Sequence, residues 1–178
     1  MSEELKADLL FKAELLSLLP RLRRYALAKT GTSEQADDLV QATCERAWRA
    51  RGQWKPGARM DFWTFRIMKN LYIDEVRAAS VRGIDAGPDA LEDVPDHRWT
   101  RRVEGSMTLA QVSDAMQELP APMRDVLALV PIEGLSYREA AEVLGVPVGT
   151  VMSRLARARA ELMSRLNLTG DITDGTPA

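Results

Sequence analysis

Cysteine, histidine and aromatic residues are all scarce in this 178-residue chain, and each scarcity removes a class of function. Cys44 stands alone, so neither an intramolecular disulfide nor a cysteine cage for zinc can form. It lies among apolar helical positions and reads as a small buried hydrophobe rather than a reactive thiol. His97 is likewise single and cannot build a metal site. No apolar run approaches the roughly 20 residues that cross a bilayer. The stretch from Met1 to Asp8 is polar and acidic, unlike a secretory signal. Direct membrane insertion is therefore not expected, and the expected location is the cytoplasm. No Ser/His/Asp set, glycine-rich phosphate loop or ligand cluster occurs, so neither enzymatic chemistry nor a cofactor is expected.

With 46% hydrophobic but only 6% aromatic residues, the chain is written in Ala, Leu, Val and Met, which points to an all-α fold. The formal charge is -2, which excludes a protein basic all over but leaves room for a local basic face. Direct counting gives 19 Arg against 5 Lys. That ratio suits planar recognition of phosphate and guanine, and equally suits salt bridges within a helical protein.

Two small helical domains and an acidic linker are expected. Residues 8–80 read as helix, broken at Gly31-Thr32 and between Gly52 and Gly57. Over residues 81–105 the periodicity fails, and Gly83, Gly87, Pro88 and Pro95 mix with Asp85, Asp89, Glu92, Asp93 and Asp96. Helical text resumes over 106–166, and residues 167–178 read as a disordered tail. The first helix carries Leu15, Leu18, Leu19, Leu22, Tyr25 and Ala26 on one stripe. Thr32 and Gln35 open the second as a capping box, ahead of buried Ala36, Leu39, Val40, Thr43, Ala47 and Trp48. The third, from about Asp61, completes a small bundle.

The C-terminal unit is the most informative. Ser136 and Glu139 form a second capping box, with Ala140, Ala141, Val143 and Leu144 as core residues. Gly145 ends that helix, and Pro147 suits the first turn of the next. Two helices joined by so short a turn are a helix-turn-helix. In the second, Val148, Val151, Leu155, Ala158 and Leu162 follow a 3-4 spacing and face inward. Thr150, Ser153, Arg154 and Arg157 then face outward, with Arg159 on the flank. Short polar residues near the start and Arg farther along match what the major groove accommodates. The alternative is the solvated face of a plain helical hairpin. Acidic residues in linker and tail oppose phosphate binding, so this unit is expected to need help in holding DNA.

The run from Leu119-Pro through Arg124-Asp-Val-Leu, Glu133-Gly-Leu-Ser-Tyr-Arg-Glu-Ala-Ala-Glu-Val-Leu-Gly-Val-Pro-Val-Gly-Thr-Val, Ser153-Arg-Leu and Arg157-Ala-Arg closely resembles region 4 of bacterial extracytoplasmic-function (ECF) sigma factors. Ala36-Asp-Asp-Leu-Val-Gln-Ala-Thr is similar to their region 2.2, which docks on the clamp helices of RNA polymerase. Trp63-Thr-Phe-Arg-Ile-Met-Lys-Asn-Leu-Tyr-Ile-Asp-Glu-Val-Arg77 is similar to regions 2.3 and 2.4. Leu18-Leu-Pro-Arg-Leu-Arg-Arg-Tyr-Ala26 resembles, less extensively, the alphaproteobacterial general-stress subgroup.

The resemblance implies a set of partners and residues. Core RNA polymerase would be bound through Asp38, Leu39, Gln41 and Glu45; the polar three share one face of the second helix, which plain solvation also explains. The -10 element would be contacted and opened through Trp63, Arg66, Asn70 and Arg77, and Arg66, Asn70, Asp74 and Arg77 form one stripe. Asp74 fits a structural salt bridge as well as it fits that site. Phe62, Trp63 and Phe65 are candidates to receive an unstacked base, with core packing as the competing role. The loop from about Gln53 to Met60 corresponds to the family's base-receiving loop. The -35 element would be read by Arg138, Thr150, Ser153, Arg154, Arg157 and Arg159. Met152 departs from the Arg or Lys common in the family, and Trp99 in the linker has no assigned role. An anti-sigma factor is a further implied partner. Two rival readings are a stand-alone helix-turn-helix regulator and a sigma-like protein that titrates an anti-sigma factor.

Overall fold

Residues 3–81 and 109–166 are described by the computed structural model. Most of the expected linker, including Trp99, and the expected tail from residue 167 lie outside the described residues. Within them the fold is all-α, with seven α-helices and no strand.

Helix α1, Glu3–Thr30, buries Phe11, Leu15, Leu22, Tyr25 and Ala26, while Leu18 and Leu19 are half-buried. It ends where Gly31 turns left-handed at φ 83, with its N–H on the Leu27 carbonyl at 2.9 Å. Helix α2, Ser33–Arg49, starts at Thr32, whose hydroxyl accepts from Gln35 N at 3.3 Å. Ala36, Leu39, Thr43 and Ala47 recur every three or four residues and are buried against α1 and α3. Trp48 departs from expectation. It is 39% exposed, edge-on to Phe11 at 5.9 Å and covered by the Arg51 guanidinium at 4.7 Å. One residue beyond Ala47, and so about 100° around the helix from it, Trp48 lies at the rim of the bundle, where an indole can pack one edge and wet the other. Helix α3, Met60–Val81, closes the bundle with Met60, Phe65 and Met68.

The second unit comprises α4, Leu109–Gln117, α5, Ala121–Leu127, α6, Tyr137–Leu144, and α7, Val148–Arg165. A π-turn over Ala128–Ile132 follows α5 and contains Pro131; Glu133 N reaches back five residues to the Ala128 carbonyl at 2.9 Å. Leu119, Val126, Leu129, Val143, Val151 and Leu155 are almost completely buried. Each such side chain contributes about 1.5–3 kcal/mol by leaving water.

These two units are docked on one another, which no sequence pattern announced. Helix α1 packs on α4 and α5, and α3 packs on α6. Gln117 of α4 donates to the Leu27 and Ala28 carbonyls at 3.3 and 3.2 Å, covering the open end of α1. A Cβ at Gly31 would meet Gln117 Oε1 at 2.7 Å, so this contact requires glycine twice over, for space and for its positive φ.

Candidate nucleic-acid interface

The helix-turn-helix forms as its caps dictate. Ser136 Oγ accepts from Glu139 N at 3.3 Å and Glu139 Oε2 accepts from Ser136 N at 2.7 Å, completing the capping box. The Ser136 backbone N–H, with help from Arg59, holds the Glu139 carboxyl below its usual range. Gly145 terminates α6 at φ 69. Pro147 then caps α7 rather than entering its first turn, because the helical hydrogen bonds begin from its carbonyl, accepting from Thr150 and Val151.

Helix α7 buries Val151, Leu155 and Ala158 as expected, with Leu162 half-buried. Val148, expected inward, is 40% exposed. At 100° per residue it lies about 60° off Val151, at the edge of the inward arc. Thr150, Ser153, Arg154, Arg157 and Arg159 are half-buried, while Gly149 and Met152 are exposed. The same geometry puts Ser153 and Arg157 opposite the buried stripe and Arg154 on its flank, mirroring Arg159. Arg154 is therefore not an outward residue in the full sense, and its Nε is buried without a partner. Ser153 Oγ donates to the Thr150 carbonyl at 3.2 Å. Arg138, in the first turn of α6, is exposed.

On α3 the stripe of Arg66, Asn70, Asp74 and Arg77 is exposed along its length. Arg66 is engaged within the chain, donating Nη2 to the Glu142 carbonyl at 3.0 Å. Trp63 is half-buried and edge-on to Phe11 at 6.0 Å. Phe65 is fully buried, edge-on to Tyr25 at 5.3 Å, which leaves it to the core. Phe62 is half-buried beneath the Arg59 guanidinium at 4.0 Å. The loop before α3 is built around Trp54, which sits edge-on to Phe11 at 5.7 Å and donates Nε1 to the Ala58 carbonyl at 3.2 Å.

On α2, Asp38, Gln41 and Glu45 are exposed together, with Gln41 Nε2 donating to Glu45 Oε1 at 3.1 Å. Leu39 is 1% exposed. As a member of the bundle core it supports this face from beneath and offers no surface of its own, a correction to its expected contact role. Cys44 is half-buried, and burial raises its thiol pKa, in keeping with a packing role. Among the described residues no cluster of His, Cys, Asp or Glu could hold a metal, and no helix is long and apolar enough to cross a membrane.

Sequence reasoning missed the charges that join the two units. Glu133, with a fully buried side chain, accepts from Arg21 Nε and Arg24 Nε, each at 2.8 Å. Lys29 Nζ pairs with Asp125, and the Tyr25 hydroxyl donates to the same carboxylate at 3.3 Å. Arg59 bridges Asp61 at 2.8 Å and Glu139 at 3.1 Å, and Lys69 Nζ donates to the Leu144 carbonyl at 2.8 Å. Burial works to raise the Asp61 carboxyl, but hydrogen bonds from Arg59 and Arg21 outweigh it and hold the group low. Burial, with Lys29 and Arg66 as like charges, lowers Lys69. The interunit partners lie far apart in sequence, so no local spacing could have paired them.

Comparison with known proteins agrees with this architecture. Residues 15–82 match the family model for Sigma-70 region 2, and residues 109–162 the model for Sigma-70, region 4. The ECF RNA polymerase sigma factor EcfG of Rhodopseudomonas palustris is 33% identical over 157 residues, 88% of this chain and 85% of that protein. The RNA polymerase sigma factor CnrH of Cupriavidus metallidurans is 32% identical, across 85% of this chain and 82% of its own. The sigma factor RpoE of Bartonella quintana, solved in complex with the anti-sigma factor NepR, superposes with a TM-score of 0.73 at 32% identity, covering 90% of this chain and 98% of that one. Matched in both regions, in order and over most of its length, this chain belongs to the ECF RNA polymerase sigma factors.

Proposed function

We propose that this chain acts as an alternative sigma factor, giving core RNA polymerase its promoter choice and opening the DNA, with no covalent chemistry of its own. The observation that carries this is the pairing, within one chain, of a capped helix-turn-helix and a three-helix bundle with a cationic α3 stripe. In this reading Asp38, Gln41 and Glu45 on α2 meet polymerase. Trp63, Arg66, Asn70 and Arg77 serve the -10 element. Arg138, Thr150, Ser153, Arg154, Arg157 and Arg159 serve the -35 element, with Ser153 and Arg157 best placed to enter the groove. The residue boundaries of the two units are taken as 8–80 and 106–166. The working place is the cytoplasm, where polymerase is. The anti-sigma factor seen with the Bartonella quintana relative supports a similar antagonist here.

Fluorescence anisotropy with purified core polymerase tests the division of labour. Asp38→Ala and Gln41→Ala should weaken core binding, while Arg157→Ala should leave it intact and reduce -35 dependent transcription. Loss of core binding in Arg157→Ala would contradict the assignment.

A further inference from the structure

The outward side of α7 carries two rows of side chains rather than one. Gly149, Ser153 and Arg157 recur every four residues, short groups that end in a cation. Val148, Met152, Ala156 and Ala160 recur at the same spacing and form a second row without one polar side chain. Met152 is 38% exposed, Val148 and Ala160 are exposed as well, and Ala156 is half-buried. Gly149 and Met152 stand three residues apart, as do Ser153 and Ala156, so the two rows interlock on one face. Single apolar residues scattered over a surface mean little. Here a valine and a methionine are neighbours on the leading turns of the recognition helix.

Gly149 points to what meets them. It lies in regular helix, where glycine is a weak choice, and among the described residues nothing lies within 4 Å of where its Cβ would stand. Packing inside the chain therefore does not call for glycine. The missing side chain lets an outside surface approach the backbone, which brings that surface onto the thioether of Met152 beside it. Arg159 borders the row three residues beyond Ala156, and Arg157 three before Ala160, so the surface must be anionic at its edges and apolar within. The major groove supplies both, with phosphates at its rim and thymine C5-methyl groups on its floor.

We infer that Met152 sets a base preference in the -35 element, packing its thioether end on the C5-methyl of a thymine, with Val148 closing the contact toward the start of α7. The inference rests on the sigma-factor reading of α7 and adds one base pair to it. The contact works by burying apolar surface, not by hydrogen bonding. The unbranched methionine side chain adapts to such a surface. Cytosine at the same place presents an amino donor instead of a methyl, which an apolar row leaves unsatisfied.

The test uses the full chain with core polymerase and a promoter recovered by run-off transcription from a library. Each thymine of its -35 element, on either strand, is replaced singly by deoxyuridine, which removes the methyl and keeps the base pair. At one position the wild-type chain should lose about fourfold in transcription at limiting polymerase, the effect of one buried methyl. Met152→Ala should lose about as much on the thymine promoter and nothing further on the deoxyuridine one. Met152→Leu should keep the sensitivity to the methyl, and Met152→Gln, of similar length but polar, should not. A wild-type chain indifferent to every deoxyuridine would overturn the inference, as would a -35 element without an A·T pair. A Met152→Ala chain as sensitive to the methyl as wild type would overturn it too. So would Met152→Ala that weakens core binding in fluorescence anisotropy, since the row would then be a protein-docking face. The two ideas fail differently. Transcripts blind to the methyl sink the thymine contact alone, whereas no transcript from active core polymerase sinks the sigma reading and the inference with it.

Discussion

Asp125→Ala should release the two units from one another. Lys29 is a nearly buried cation, its side chain 2% exposed, with Nζ 5.2 Å from the Tyr25 ring and 4.6 Å from that of Tyr72. Asp125, 14% exposed, is the carboxylate that accepts from it and from the fully buried Tyr25 hydroxyl. Removing one partner of a buried pair costs about 3–5 kcal/mol, because the other charge stays buried and uncompensated. The stranded hydroxyl adds about 1–3 kcal/mol. The chain has a cheaper course than bearing this in full, since undocking α5 from α1 returns Lys29 to water. The measured loss is thus capped at the free energy of docking. Even at about 3 kcal/mol the docked population falls about a hundredfold relative to the open one. Interunit energy transfer between dyes at Glu34→Cys and Ser164→Cys, with Cys44→Ser, and urea unfolding followed by far-UV dichroism should show a longer distance and an earlier transition. Lys29→Met, Asp125→Leu and Tyr25→Phe introduced together remove both charges and the hydroxyl, and should recover docking to within about 1.5 kcal/mol. An Asp125→Ala chain with unchanged distance and midpoint would refute the reasoning.

Other outcomes follow from the same structure. Leu155→Ala, at a site 1% exposed between α5, α6 and α7, should destabilise the helix-turn-helix unit by about 2–5 kcal/mol, read as a lower Tm and loss of -35 dependent transcription. Ser136→Ala removes an N-cap and should cost about 1 kcal/mol, visible as faster amide exchange in the first turn of α6. Gly31→Ala should loosen α4 from α1, because the new Cβ strikes Gln117 at a positive φ; interunit energy transfer checks it. For pH the sign is set by Asp61 and Glu139, both held below their ordinary values. Their contribution is full above the unfolded carboxylate pKa of about 4 and is lost as pH falls through the lower folded values. Stability toward urea should therefore be flat between about pH 6 and 8 as far as these two groups decide it, and fall under acid below about pH 4.

Local grammar was legible in the sequence because it acts over a few residues. Ser136 with Glu139, Gly145, and the Val151-Leu155-Ala158 spacing placed α6 and the core side of α7 where the structure has them. Thr32 and Gly31 marked the break between α1 and α2 for the same reason. Side-chain fate at the margins of an apolar arc was less legible, since burial there depends on which neighbour covers the edge. Val148 and Trp48 came out exposed, and Arg154 slid to a flank. Leu39, by contrast, was legible as a core position, in step with Ala36, Thr43 and Ala47. The interunit network was illegible altogether. Arg21 and Arg24 meet Glu133 across more than 100 residues, and nothing near any of them in sequence encodes the meeting.

Run-off transcription with purified core polymerase over a promoter library, with permanganate footprinting of the templates used, tests the central claim most directly. The account predicts transcripts that require this chain, reactive thymines at the -10 region of the selected promoters, and loss of that reactivity with Arg66→Ala and Asn70→Ala together. Core polymerase proven active on another sigma factor yet silent with this chain, or transcripts whose -10 opening is indifferent to those substitutions, would contradict it.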